Sequence, residues 1–406
     1  MSPEASTGID QNEAIGRRIA RKRRRADLTQ QELADLAYVS RSLIQQVETG
    51  KKPATPSLVA AIATALHLDP AELYGQPYRG ATAHADRIHA GIAEIRRALS
   101  YIDSPPELEA PPRPLDTLAA EVETLRRLSL DARHVQVSAR LPAALAELSV
   151  HAYERDQPRA WRLLNGTQAI AASLARRLGY NDLAAFGIER AATAAARSDD
   201  PNLSHLVQLS RALLMMTAGA WGPGLKLVRR AGDGMDRDTM EARVVYGALQ
   251  LRAAVLSARA GNQSDAWEHY GQATDVAGSL PPRVPDFYAL QFNGPNVGVH
   301  GVAVAVELGD FDEAIRRDED LARQWRRSAS GLPPERRAHH EIDMGRALVS
   351  AGKYSQALQR LARADKTAPQ MTRYHPMARE VTQRLSDHYR RMPEPLRLLM
   401  SHMGMS

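Results

Sequence analysis

The sequence predicts an all-α fold, in which a small N-terminal helical domain precedes a long array of paired helices. Apolar residues recur at three- and four-residue steps along much of the chain, which is the periodicity of helices with one buried face. Glycines at the ends of such stretches recur 40, 42, 48 and 43 residues apart, from Gly179 to Gly352. With 406 residues, 44% of them hydrophobic and 25% charged, the chain can bury more than one core.

The N-terminal domain is predicted from helix start and stop signals between residues 15 and 74. Thr29 is a suitable N-cap, and Glu32 three residues later completes a capping box. Ser40 can cap the next helix, and Gly50 follows that helix as a C-terminal residue with positive φ. Together with the periodic apolar residues, these signals predict about five short helices.

The helix that begins after Ser40 has one apolar face and one polar face. Leu43, Ile44 and Val47 recur at one- and three-residue steps and are expected to be buried. The other face carries polar and basic side chains, namely Arg41, Ser42, Gln45 and Gln46. Arginine can pair with O6 and N7 of guanine, and glutamine with N6 and N7 of adenine, so this face is suited to the major groove of DNA.

The stretches from Leu28 to Ala34 and from Val39 to Gly50 resemble the helix-turn-helix of the phage-repressor and Cro type, the Xre family. The resemblance implies a five-helix, lambda-repressor-like DNA-binding domain. The second helix of the motif would then be the recognition helix, which lies in the major groove. By position in the motif, the residues implied to read bases are Arg41, Ser42 and Gln46.

The same resemblance assigns roles to residues around the recognition helix. Gln30 matches the glutamine that opens the preceding helix and touches the phosphate backbone. Lys51 and Lys52 match the loop after the motif that grips phosphates. Arg23 and Glu48 match a buried ion pair that ties the first helix to the recognition helix, so both are expected to be structural.

Charge and composition support a soluble nucleic-acid-binding protein. The net charge is +6, and seven basic residues without an acidic one fall between residues 17 and 25. Such a cluster raises affinity for polyphosphates, although most charge runs are solvated helix faces. The sequence has no cysteine, no membrane-length apolar run and no apolar signal core. We therefore expect a cytoplasmic protein with no membrane association, metal or cofactor.

A stripe of apolar residues follows the predicted DNA-binding domain. Ile88, Ile92, Ile95, Leu99 and Ile102 are spaced four, three, four and three residues apart, which suits coiled-coil packing. The stripe has two interpretations: a dimer helix behind the DNA-binding head, or a helix docked on its own C-terminal domain. Ser104, Pro105 and Pro106 then stop the helix, and prolines at positions 111, 112 and 114 form a stiff connector.

These signals divide the chain into three parts: a DNA-binding domain at residues 1–78, a helix and proline-rich linker at 79–117, and a repeat domain at 118–406. In the repeat domain each recurring glycine is followed five residues later by alanine or glycine. We interpret this pattern as a stack of helix hairpins. The segments that begin at Gly309 and Gly352 resemble the tetratricopeptide repeat, which implies a tetratricopeptide-like α-solenoid. The spacing exceeds that family's 34 residues, so helices or loops are expected to be longer here.

Repeat arrays of this kind bind ligands on the concave face formed by the first helix of each hairpin. The positions expected to face such a groove are mostly apolar: Leu206, Leu209, Leu213, Met216, Ala248, Leu251, Val255, Val299, Ala303 and Ile342. The polar positions expected there are Asn293, Asn296, His339 and Arg346, with Asn296 the best candidate to hold a peptide backbone. Alternatively, a closed array or a C-terminal helix buries this surface.

No motif for catalysis is found: the sequence lacks a Walker-type loop, a Gly-x-Gly-x-x-Gly cradle and a nucleophile elbow. We expect a transcription regulator that binds double-stranded DNA at an inverted-repeat operator as a homodimer. Its repeat domain would sense a peptide, small-molecule or protein partner. The alternative is a protein-interaction scaffold in which DNA binding is secondary.

Overall fold

The computed structural model describes residues 13–79, 86–281, 284–325 and 331–405, and within these ranges the secondary structure is entirely helical. Residues 1–12 and 80–85, which the predicted division into domains includes, lie outside the described residues. The N-terminal domain has the five short helices that the sequence predicts: α1 Ile15–Arg25, α2 Gln30–Leu36, α3 Arg41–Glu48, α4 Pro56–Ala65 and α5 Pro70–Tyr74.

A short segment and a long helical array follow. The short segment contains a 3₁₀ turn at Arg87–His89 and helix α6 Ile92–Leu99. The array contains α7 Leu115–Leu130, α8 His134–Arg155, α9 Pro158–Leu178, α10 Asn181–Ala196, α11 Asn202–Thr217, α12 Trp221–Asp233, α13 Met240–Arg259, α14 Gln263–Ser279, α15 Gly294–Leu308, α16 Phe311–Trp325, α17 Pro334–Ser350, α18 Tyr354–Thr367, α19 Pro369–Tyr374, α20 Pro376–His388 and α21 Glu394–His402.

The predicted start and stop signals of the N-terminal domain are confirmed. The Thr29 hydroxyl accepts a hydrogen bond from the Glu32 amide, and the Glu32 carboxylate accepts one from the Thr29 amide, at 3.2 and 2.7 Å. The Ser40 hydroxyl accepts from the Leu43 amide at 3.2 Å. Gly50 follows α3 with a φ of 75°. These caps satisfy amides that would otherwise lack partners, so they fix where α2 and α3 begin.

The apolar stripe after the N-terminal domain packs against its own chain. Ile88, Ile92, Ile95 and Leu99 are buried in one core with residues of α7, α8 and α9. Gly91 allows this contact, since a Cβ there would lie 2.6 Å from the Ser138 carbonyl oxygen of α8. The second interpretation is therefore correct for these four residues, whereas Ile102, the last residue of the predicted stripe, is exposed.

The array consists of successive helix hairpins, as predicted. The pairs are α9/α10, α11/α12, α13/α14, α15/α16 and α17/α18, and each pair packs together. In every pair the glycine between the two helices has a left-handed φ of 73° to 88°. Residues other than glycine rarely adopt this conformation. The residue five positions later is buried at the hairpin contact: Ala184, Gly224, Ala266, Ala314 and Ala357.

The N-terminal domain docks onto this array through α4, α5 and the segment that follows α5. The Ser57 hydroxyl donates to the Arg259 carbonyl at the end of α13, at 3.1 Å. The turn at Gly219 approaches Ala60 so closely that a Cβ there would lie 2.3 Å from the alanine methyl. The Tyr78 ring packs under the Arg379 guanidinium at 4.2 Å. The turn after α11, the end of α13 and α20 therefore all touch the domain.

Glu380 of α20, beside the docked domain, makes the stability of the fold dependent on pH. Burial raises the pKa of Glu380 from its ordinary value to about 7, although Arg384 and the Ala54 amide oppose that rise. Asp387 adds to the rise, and Arg18 opposes it. The folded protein therefore binds this proton more tightly than the unfolded chain, so Glu380 destabilises the fold progressively as pH rises from its ordinary pKa to about 7, and by a constant amount above that.

Glu380→Gln should stabilise the protein at pH 8 and leave its stability at pH 4.5 nearly unchanged. The raised pKa corresponds to about 3 kcal/mol for a fully buried carboxyl, and solvent screening of this half-buried one reduces the expected gain to about 2 kcal/mol. Thermal unfolding at both pH values measures the difference. Glu94→Gln, at an exposed position on α6, is the matched control. An equal gain at both pH values would contradict the protonation argument.

Candidate nucleic-acid interface and domain cavity

The polar face of α3 points away from the rest of the protein. Arg41, Ser42 and Gln45 are exposed, while Ile44 and Val47 are buried beneath them. Gln46 is half-buried, and its amide nitrogen donates to the Ser42 hydroxyl at 3.0 Å. The side chains predicted to read bases therefore share one accessible helix face, and Gln46 must exchange its bond to Ser42 in order to reach a base edge.

Glu48 joins α1, α2 and α3. The Arg23 guanidinium donates to both its carboxylate oxygens at 2.7 and 2.9 Å, and Gln30 donates to it at 2.8 Å. Burial opposes ionisation of Glu48, but the bonds from Arg23 and Gln30 outweigh burial and lower its pKa. The structural ion pair between Arg23 and Glu48 is as predicted. Gln30, predicted to touch phosphate, is here held by Glu48 at the N-terminus of α2.

Several basic side chains of α1 bond to other groups of the protein. Fewer of them are therefore available to bind DNA than the number of basic residues suggests. Arg18 is 1% exposed and donates to the Leu73 carbonyl at 2.8 Å. Arg21 pairs with Glu13 and Lys22 with Glu72, at 2.8 and 2.7 Å. The exposed basic residues of the run are Arg17, Arg24 and Arg25.

The loop after α3 carries the two lysines predicted to grip phosphates. Lys51 and Lys52 are both exposed and follow Gly50. Two further exposed side chains that sequence reasoning did not single out flank α3: Leu36 and Tyr38, at 51% and 95% exposure. Tyr38 lies between α2 and α3 with a φ of 54°, a left-handed conformation that the sequence gives no direct sign of.

Comparisons with known proteins identify this N-terminal region. Residues 14–73 match the family model of a helix-turn-helix domain. A search of curated proteins finds no match to the chain. The matched residues coincide with α1 to α5, so the chain carries a helix-turn-helix domain followed by a long region of paired helices, and DNA is the partner that such a domain implies. Among the described ranges, no helix has the length and apolar character needed to cross a membrane.

A cavity of about 310 Å³ lies between the helix-turn-helix domain and the array. The first helices of five successive hairpins, α9, α11, α13, α15 and α17, all contribute side chains to it, so the array curves around this space. The helix-turn-helix domain supplies the opposing wall, formed by Pro56, Ala60, Pro70, Ala71, Tyr74 and Gln76. The predicted concave face therefore exists, and the protein's own N-terminal domain partly covers it.

The cavity brings together two of the four predicted ligand residues. His339 and Arg346 line it, and both contact Asp343. Asn293 instead caps α15 by accepting from the Asn296 amide at 3.0 Å. Asn296 is 2% exposed and does not line the cavity. The asparagine part of the predicted site is therefore corrected, because these side chains complete a helix N-terminus and the core beneath it.

The cavity is also more charged than predicted. Of the apolar positions expected in the groove, those that line it are Leu213, Met216, Val255, Val299 and Ala303. Arg252 and Arg259 lie three residues before and four after Val255, so they share its helix face and line the cavity as well. The sequence prediction placed Ala248, Leu251 and Val255 on the inward face of α13. A face that contains Val255 together with residues three before and four after it would have included both arginines.

Proposed function

We propose that this chain is a non-enzymatic transcription regulator of the Xre type, which recognises a specific duplex sequence through α3 and senses an effector through tetratricopeptide-like repeats. The observation that carries the proposal is the orientation of the helix-turn-helix domain. Its α4 and α5 side is docked on the array, whereas Arg41, Ser42, Gln45, Lys51 and Lys52 remain exposed. The domain is thus held by the face that DNA does not need.

In this proposal base recognition and phosphate binding are divided between neighbouring residues. Arg41 and Gln46 would contact base edges, since arginine and glutamine both offer bidentate pairing in the major groove. Lys51, Lys52 and the Tyr38 hydroxyl would contact phosphates, which position the domain without reading sequence. Glu48 holds Arg23 and Gln30, so it orients α3 and does not itself contact DNA.

An inverted-repeat operator remains part of the proposal, with one half-site for each copy of a homodimer. The contact between copies lies elsewhere than Ile88, Ile92, Ile95 and Leu99, because those side chains are buried within one chain. Replacing them would therefore unfold α6 and would not test dimerisation. Light scattering of the full-length protein, alone and on the operator, measures the number of copies directly.

Arg41→Ala and Gln46→Ala should each weaken binding to the operator by about 1–3 kcal/mol, with little change on random duplexes. The operator is obtained first, by selecting the full-length protein against a pool of random duplexes. Affinities are then measured for operator and random DNA at several salt concentrations. Equal losses on both DNAs would mean that α3 does not read bases.

Lys51→Ala and Lys52→Ala are the matched comparison, because they lie beside α3 and remove charge without removing a base contact. Each should weaken binding to all duplexes and reduce the salt slope by roughly one. A wild-type protein without sequence preference at any salt concentration would favour the alternative of a scaffold with phosphate-driven DNA binding.

A further inference from the structure

The cavity between the two domains carries an excess of positive charge. The lining includes six arginines, namely Arg176, Arg177, Arg252, Arg259, Arg336 and Arg346. It includes half as many carboxylates, namely Glu307, Glu335 and Asp343. The arginines come from α9, α13 and α17, which are distant in sequence. The array has therefore gathered like charges into one space, which is unfavourable unless something compensates them.

The three carboxylates compensate only part of this charge. Glu335 pairs with Arg177 at 2.7 Å, and Glu307 pairs with Arg259 and Arg346 at 3.1 and 2.9 Å. Asp343 pairs with Arg346 at 3.2 Å. All three carboxylates are thus engaged by arginines other than Arg176 and Arg252.

The guanidiniums of Arg176, Arg252 and Arg336 lack a carboxylate within hydrogen-bond distance among the described residues. Arg176 and Arg252 have no ion pair among the described residues, and the Arg252 guanidinium donates to the Met216 sulfur at 3.8 Å. Arg336 lies 3.9 Å from Glu335, too far for a hydrogen bond, and its Nε has no partner within the described ranges. These three groups have donors available for a ligand.

Burial disfavours the charged forms of Arg252 and Arg176. Burial, followed by repulsion from Arg336 and Arg176, lowers the pKa of Arg252 to about 9. Burial and repulsion from Arg177 likewise lower the pKa of Arg176 to about 10. Because Arg176, Arg252 and Arg336 line one cavity and repel one another, an anion placed in that cavity would be attracted by all three.

Two of the histidines that line the cavity, His134 and His300, are neutral and do not add charge. Burial lowers the pKa of both His134 and His300 to about 3. Neither ring nitrogen of His134 has a hydrogen-bond partner in the part of the chain that the structure describes, so this buried side chain offers a neutral donor and an acceptor at the cavity. The cavity also has an apolar lining, contributed by Leu213, Met216, Val255, Val299 and Ala303.

We propose that this cavity binds a small organic anion, with its carboxylate or phosphate group between Arg176, Arg252 and Arg336 and its apolar body against α11, α13 and α15. A volume of about 310 Å³ is at the lower end of the range for small-molecule sites. Guanidiniums bind carboxylate and phosphate through paired, charge-assisted hydrogen bonds, and both groups remain candidates.

Such a ligand would touch both domains. Ala71 and Tyr74 of α5 line the same cavity, so an anion that fills it contacts the helix-turn-helix domain directly. A ligand shifts the position of that domain if it binds the docked arrangement better than a displaced one. This regulatory consequence rests on the proposed function, whereas the binding of an anion does not.

The test uses full-length protein without DNA and three probes: 4-phenylbutyrate, phenyl phosphate and the neutral 4-phenylbutyramide. Calorimetric titration should show binding of one or both phenyl anions, and the comparison of the two distinguishes carboxylate from phosphate. The neutral amide should bind at least about tenfold more weakly, because it lacks the charge-assisted bonds. The proposal would be overturned if both phenyl anions bound with a Kd weaker than about 1 mM, or if the amide bound with the same affinity as the anions.

Arg252→Met and Arg176→Met separate a ligand-binding role from a structural one. Each should weaken binding of the anion by at least about tenfold. Each should also raise the Tm of the ligand-free protein, because a desolvated charge without an ion pair is removed. Arg155→Met, at an exposed position near the end of α8, should change neither. A lower Tm with unchanged anion affinity would show that these arginines are structural and would overturn the proposal.

Anion binding can be established separately from its effect on DNA. If the anion binds and Arg252→Met abolishes that binding, the site stands whatever the protein does on DNA. DNA titrations with and without the anion then test the sensor part of the proposed function. An unchanged affinity for the operator would remove that part and leave the binding site intact.

Discussion

Gly16→Ala is expected to destabilise the helix-turn-helix domain by about 3–4 kcal/mol, which is large for the addition of one methyl group. At Gly16, α1 crosses α3 in direct backbone contact. A Cβ there would lie 2.0 Å from the Val47 carbonyl oxygen, a distance that only a movement of the two helices can relieve. That movement would disturb the Arg23–Glu48 pair and the position of α3.

Hydrogen exchange in the full-length protein measures this effect locally. Protection of the amides in α1, α2 and α3 should fall by about two orders of magnitude or more, while α13 and α14 keep theirs. Gly271→Ala is the matched control, since Gly271 lies inside α14 and a Cβ there would have no other atom within 4 Å. That change should stabilise its helix by about 0.5–1 kcal/mol. Unchanged protection of α1 to α3 would show that the crossing has room for a side chain.

The helix-turn-helix domain could be predicted closely because its signals are local. Thr29 with Glu32, Ser40 and Gly50 determine helix ends through contacts a few residues apart, and the structure contains each of these contacts. The glycines of the hairpins are local signals of the same kind. A left-handed residue at the end of a helix strongly favours glycine, so the period of the array was visible before its packing was known.

The features that the sequence did not predict depend on contacts between distant segments. The stripe from Ile88 to Leu99 has the same periodicity whether its partner is a second copy or α8, so spacing alone left both interpretations open. The apolar positions suggested a hydrophobic groove, but Arg176, Arg252 and Arg336 meet only once the hairpins curve around a common space. No local pattern in the sequence indicates that the N-terminal domain forms one wall of the cavity.

Glu335→Gln is expected to destabilise the protein by about 3–5 kcal/mol, because it leaves a partly buried arginine without its carboxylate. Glu335 is 4% exposed and joins α17 to Arg177 of α9. Burial opposes its ionisation, but Arg177 and Arg336 outweigh burial and lower the pKa of Glu335 far below its ordinary value. The stabilisation is therefore present above the ordinary pKa of the carboxyl and is lost as pH falls toward the lowered one.

Thermal unfolding of the full-length protein tests this expectation, with Glu319→Gln at an exposed position of α16 as the control. The double variant Arg177→Met with Glu335→Met should recover most of the lost Tm, because it removes both charges and keeps the volume of the two side chains. Recovery would show that the loss in Glu335→Gln comes from the orphaned charge of Arg177. If the double variant were as unstable as the single one, the carboxylate would instead be needed to neutralise the other arginines around the cavity.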